Sequence, residues 1–135
     1  MLAATNLPWE LDAALLRRLE KRIHVPFPTA AARAWIAAKL LPRASLAAGV
    51  SYESIAAATD GYSGSDLKLV CKEAAMRPLR RLFAQLGDRP TEAVVQAAVP
   101  GPVGEEDVHS ALRGVKPTVA AREKYEQWSD EFGSS

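Results

Sequence analysis

Arg17 and Arg18 stand side by side in the run Leu16-Arg17-Arg18-Leu19-Glu20-Lys21-Arg22. A guanidinium stays ionised and its planar fork matches phosphate oxygens, so such a pair can stabilise phosphoryl charge. The same run can equally be a solvated face. Asn6 follows the apolar Leu2-Ala3-Ala4-Thr5 and precedes Leu7-Pro8. Ligands of open α/β sheets sit outside the carboxyl ends of strands, and a neutral amide there could orient a water without adding charge. An Asn that simply turns the chain accounts for it as well. The third candidate is Gly61-Tyr62-Ser63-Gly64-Ser65-Asp66, which opens a helix running to about Leu86. A Gly/Ser-rich helix start offers free backbone N–H groups to a phosphate or a ribose. Asp66 suits the positive end of the helix dipole. An ordinary N-cap, with Ser63 or Ser65 capping and Gly64 easing the turn, uses the same residues.

These residues need elements to hold them. Residues 2–5 read as a short strand ending at the Asn6-Leu7-Pro8 turn. Asp12 can cap a helix over Ala13–Leu19. Arg22-Ile23-His24-Val25 alternates polar and apolar, a second strand stopped by Pro26 and Pro28. Strand, helix and strand in so few residues fit the end of a parallel α/β sheet. A strand beginning almost at the first residue suggests the C-terminal part of a longer protein.

Thr29 then caps a helix over Ala30–Leu41 that Pro42 stops, and Ser51 caps one over Tyr52–Thr59. The long helix carries Leu67, Val70, Cys71, Ala74 and Ala75 at i, i+3, i+4, i+7 and i+8, a core-facing stripe. Cys71 on that stripe reads as a small core residue. Pro78 predicts a kink or a new start. Arg77, Arg80 and Arg81 form a basic cluster, either a solvated face or a phosphate or partner contact. Residues 87–104, with Pro90, Pro100, Gly101 and Pro102, read as a mobile loop. A helix over Glu105–Gly114 turns Val108, Ala111 and Leu112 inward. Thr118 caps a last helix to about Phe132, whose Tyr125, Trp128 and Phe132 make one aromatic stripe. The stripe is expected to dock, either on this chain or on a part of the protein outside it.

At 135 residues the chain holds one domain, or one small domain and a piece of another. A formal charge of +1 gives no field that implies nucleic acid or an anionic membrane. One cysteine excludes an intrachain disulfide and a Cys-based zinc site, and fits an intracellular setting. His24 and His109 have no ligand spacing, so no metal site is expected. No apolar run approaches the roughly 20 residues a membrane helix needs.

Three motifs in this order and spacing resemble the second half of an AAA ATPase of the meiotic clade. They are residues 2–12 with Asn6-Leu7-Pro8-Trp9-Glu10, Leu16–Ile23 with the arginine pair, and Gly61–Leu67. The clade includes katanin, spastin, fidgetin and the ESCRT-disassembling ATPase. Cys71–Arg80, and the end from Lys116-Pro117-Thr118 through Tyr125, Trp128, Glu131 and Phe132, are most similar to the second katanin-like subfamily.

The resemblance implies a mainly α fold: a helical-bundle AAA lid preceded by a strand-helix-strand remnant of the α/β large domain. Residues 1–28 would be the edge of that large domain, 29–117 the lid and 118–135 the C-terminal helix. Asn6 matches sensor 1, which orients the attacking water. Arg17 and Arg18 match arginine fingers acting in trans on a neighbour's nucleotide. Gly64 and Ser65 match the sensor 2 region beside the nucleotide. Leu16 stands where many members have a further arginine, so no role is carried to it. ATP and Mg2+ would serve the full-length protein, which would form a hexamer, pull on tubulin tails and sever microtubules. Its setting would be cytoplasmic and cytoskeletal, at microtubules, spindle, centrosome or basal body, without nucleic acid or membrane insertion. The chain lacks a Gly-x-x-x-x-Gly-Lys-Ser/Thr motif and an apolar strand ending in Asp-Glu, so by itself it is expected to hold no nucleotide and be inactive. The competing readings are a spastin-like or ESCRT-disassembling relative, and a non-catalytic helical interaction module.

Overall fold

The computed structural model describes residues 2–87, 91–117 and 122–134. Among them the chain forms seven α-helices and no strand: α1 (Ala13–Arg18), α2 (Ala30–Leu40), α3 (Tyr52–Ala58), α4 (Gly64–Leu86), α5 (Glu92–Ala97), α6 (Glu105–Gly114) and α7 (Arg122–Phe132). Short 3-10 turns cover Pro8–Glu10 and Arg43–Ser45. The chain divides into two compact units, one of residues 1–26 with 119–135, the other of residues 27–118.

The larger unit is built from capped helices. Thr29 accepts the Ala32 N–H at 3.3 Å to open α2. Ser51 accepts the Ser54 N–H at 3.0 Å and Ser54 answers from its hydroxyl oxygen, a reciprocal cap for α3. Gly61 at φ 76 makes the turn into α4, a conformation that suits a residue without Cβ. Ser63 rather than Ser65 caps α4: its Oγ accepts the Asp66 N–H at 3.2 Å, and Asp66 accepts the Ser63 N–H at 3.0 Å. The predicted stripe of Leu67, Val70, Cys71 and Ala74 is buried, joined by Ala37, Leu41, Ile55, Val108 and Ala111 in one core. Ala75, the stripe's fifth member, faces solvent. α4 packs on α2 and α6, and α2 on α3. Each fully buried Leu, Ile or Val is worth about 1.5–3 kcal/mol. Burial pushes the Cys71 thiol up to about 11, as a core residue requires.

α4 runs through Pro78 as one helix, so no new start occurs there. Pro78 is itself buried, and beyond it Arg81 still reaches Asp107 of α6, tertiary support that offsets one lost backbone bond. Within residues 87–104, which the sequence reads as a mobile loop, the chain forms α5, and Val103 is buried and bridges Leu46 in parallel. Its N–H donates to Ser45 O at 2.8 Å and its carbonyl accepts the Ala47 N–H at 2.9 Å. Pro90 and the expected cap Thr118 lie outside the described residues.

The smaller unit corrects the two predicted strands. Residues 2–5 and 22–25 carry no strand pairing, and Ile23 and Val25 are exposed. A strand needs a neighbouring strand to take its backbone groups, and the backbone of Arg22 is taken by the tail instead. The Arg22 N–H donates to Ser134 Oγ at 3.0 Å and its carbonyl accepts the Ser134 N–H at 2.8 Å. Asp12 caps α1 by accepting the Leu15 N–H at 2.6 Å. Part of the aromatic stripe docks on this unit itself. The Tyr125 ring lies 5.1 Å from Trp9 and stacks 6.2 Å from His24, and its hydroxyl donates to Asn6 O. Trp128 and Phe132 face each other at 5.8 Å.

Candidate functional site

Asn6, Arg17 and Arg18 lie in the smaller unit, Gly64 and Ser65 in the larger. Asn6 sits just ahead of the 3-10 turn, exposed, with its carbonyl engaged by Tyr125 and its side-chain amide without a partner among the described residues. Arg17 and Arg18 close the last turn of α1. Both are exposed, and among the described residues neither guanidinium has a hydrogen-bond or ion-pair partner. Placing cations at a helix C-terminus is favourable, so the dipole of α1 helps tolerate two adjacent charges.

The start of α4 is open. A Cβ built on Gly64 meets no heavy atom within 4 Å, and Gly64 and Ser65 are exposed. The cap takes the N–H of Asp66, which leaves the first two amides of the helix, on Gly64 and Ser65, free to donate. Asp66 is buried against the cap, with its carboxylate also accepting the Ser63 hydroxyl at 2.8 Å. That carboxylate faces the cap. Free amides at the start of α4 and unpartnered guanidinium groups at the end of α1, each within its own unit, are donor types that phosphate oxygens accept from. No group of three His, Cys, Asp or Glu among the described residues could hold a metal ion.

The basic cluster on α4 is taken up within the larger unit. Arg80 forks onto Glu73, with Arg77 nearby at 3.9 Å, and holds the Glu73 carboxylate below its usual range. Arg81 grips the buried Asp107 of α6, with one of the two bonds at 2.9 Å. Burial alone pushes the Asp107 carboxyl up. The bonds from Arg81 and the Gly104 N–H, with the charges of Arg81 and Arg77, outweigh it and hold the group below the carboxylate range.

Two arginines that have no role of their own in the sequence reading are anchored on main-chain carbonyls within their units. Arg33 on α2 is 6% exposed. It donates to Ala56 O at 3.1 Å and Pro28 O at 2.9 Å, and meets Asp60 at 3.2 Å. Arg22 donates to Leu16 O at 2.8 Å and Phe132 O at 3.1 Å. The one local hint was an arginine on the otherwise apolar face of an Ala-rich helix.

A capped four-helix core, an open Gly-Ser start to its longest helix and a free arginine pair on a separate short helix make up the arrangement. Residues 49–93 match the AAA+ lid domain family. The A-like 2 form of the katanin p60 ATPase-containing subunit, from Xenopus tropicalis, is 45% identical over 142 residues, covering 99% of this chain and 26% of that protein. The A-like 1 form, from Homo sapiens, is 41% identical over 137 residues, covering 100% of this chain and 28% of that protein. A structure described as the structural basis for katanin self-assembly superposes with a TM-score of 0.83 at 36% identity, over 96% of this chain and 46% of that one. The FIGL-1 AAA domain in complex with ADP superposes at 0.77 with 32% identity, over 97% and 44%. The larger unit thus contains an AAA+ lid domain. The chain as a whole is a homologue of the A-like 1 and A-like 2 forms of the katanin p60 ATPase. It spans just over a quarter of the length of these curated relatives.

Proposed function

We propose that this sequence is the C-terminal part of a katanin-like AAA ATPase, which couples ATP hydrolysis in a hexameric ring to microtubule severing by pulling on tubulin tails. Residues 1–28 supply the edge of the large domain, 29–117 the lid and 118–135 the C-terminal helix. Phosphoryl transfer needs positioning and charge neutralisation more than covalent chemistry. Magnesium-bound ATP supplies the phosphoryl group. Arg17 and Arg18 reach into the neighbouring protomer's site and neutralise the charge that grows on the transferred group. Asn6 orients the attacking water with its amide. Gly64 and Ser65 hold the protomer's own nucleotide with free backbone donors. Lending the arginines from one protomer to the next makes hydrolysis depend on assembly.

The observation that carries this reading is the exposed, unpartnered arginine pair at the end of α1 in a chain homologous to katanin ATPases. In the full-length protein carrying this sequence, Arg17→Ala or Arg18→Ala should cut ATP turnover by about 10³–10⁵-fold, the range for an arginine supplied in trans. Nucleotide binding should remain. Undiminished turnover in both variants refutes the assignment.

A further inference from the structure

Arg17 and Arg18 make no contact of their own that fixes where they point, so their placement depends on α1. That helix is only six residues long and buries none of them. A helix this short is marginal without outside support. Its last carbonyls lack intrahelical partners; Leu16 O accepts the Leu19 N–H at a long 3.3 Å. The same oxygen accepts Arg22 Nη2 at 2.8 Å, and Arg22 Nη1 reaches Phe132 O, the last residue of α7, at 3.1 Å. One cation therefore spans the negative ends of two helices, where the dipoles favour it. The fork geometry makes this possible, because a guanidinium presents donors in two fixed directions. Its Nε is sealed from solvent without a partner among the described residues, which leaves the two carbonyls as the side chain's anchors. The backbone of Arg22 is pinned in turn by Ser134.

We infer that Arg22 is a positioning residue for Arg17 and Arg18, its guanidinium tying the end of α1 to the end of α7 so that the last helix sets where the arginine pair starts. The inference rests on the reading of that pair as a group lent to a neighbouring nucleotide. It assigns the C-terminal helix a direct part in the turnover step besides any part in assembly.

The test uses the full-length protein carrying this sequence, with Arg22→Gln, Arg22→Lys and the double variant Arg17→Ala/Arg18→Ala. Arg22→Gln should lower kcat by about 10²-fold, the cost of misplacing a reacting group by about an ångström, with KM for ATP and ring assembly by sedimentation unchanged. Arg22→Lys, which keeps the charge and can meet one carbonyl but not both, should fall between. Mixed rings separate a lesion passed to the neighbour from one in the protomer's own site. Protomers with a disabled nucleotide pocket but intact Arg17 and Arg18 should restore turnover to Arg22→Gln protomers. Protomers lacking Arg17 and Arg18 should not. Recovery in that second mixture, or full kcat in Arg22→Gln, overturns the inference. If Arg22→Gln does not assemble, wild-type kcat in Arg22→Lys overturns it equally. Normal turnover in the Arg17→Ala/Arg18→Ala protein instead sinks the reading beneath it.

Discussion

Replacing Arg33 by Ala should be among the most damaging single changes to the larger unit that leaves its apolar core residues intact. The guanidinium is 6% exposed and makes two bonds to main-chain carbonyls, at 3.1 Å to Ala56 and 2.9 Å to Pro28. Hydrogen bonds from a charged donor contribute about 1.5–3 kcal/mol each. Ala56 O would keep the Thr59 N–H and hydroxyl as donors, so only Pro28 O is left without its protein donor among the described residues. Release of a buried charge offsets part of the loss. A net cost of about 2–4 kcal/mol follows, including packing of the stem. The ion pair with Asp60 adds little, because the Asp60 side chain is 82% exposed and such pairs are worth about 0–1 kcal/mol. For a domain of about 60–100 residues each kcal/mol moves Tm by about 4–8 °C. Arg33→Ala should therefore melt about 10–25 °C below the parent by far-UV circular dichroism, and Asp60→Asn within about 5 °C of it. A melt of Arg33→Ala within a few degrees of the parent refutes the carbonyl-anchor argument. So does an equal loss in Asp60→Asn, which would shift the stabilisation to the exposed pair.

The pair of Arg81 with Asp107 should appear in the acid limb of stability. Asp107 is held below the ordinary carboxylate value, so its contribution is complete above the unfolded value of about 3.9 and is lost as pH falls through the folded one. Urea midpoints of the parent should drop between pH 5 and pH 2, and Asp107→Asn should start lower at pH 7 and show a shallower drop; a parent-like acid slope in that variant counts against the assignment. Cys71, buried on α4 with its thiol near 11, should resist alkylation at pH 8 until urea unfolds the chain. Labelling of the folded protein at the rate of a free thiol would show that the core opens readily around it.

What the sequence determined by itself is whatever depends on residues within one helical turn. The caps at Asp12, Thr29 and Ser51 and the α4 stripe of Leu67, Val70, Cys71 and Ala74 all join positions three or four apart. They follow from helix geometry wherever the helix goes. The types and spacing of Asn6, Arg17, Arg18, Gly64 and Ser65 were legible in the same way, as was the resemblance they carry. Tertiary structure decided the pairings between distant positions. Arg33 meets Ala56 across 23 positions, Arg81 meets Asp107 across 26, Tyr62 meets Val115 across 53 and Arg22 meets Phe132 across 110. An arginine with a long stem reads alike whether it ends in water or on a carbonyl, and only the fold brings the carbonyl to it. Strand formation belongs to the same class. Alternation at residues 22–25 marks a segment able to pair, but a strand exists only where a neighbour takes its backbone, and the Ser134 tail took the backbone of Arg22 instead.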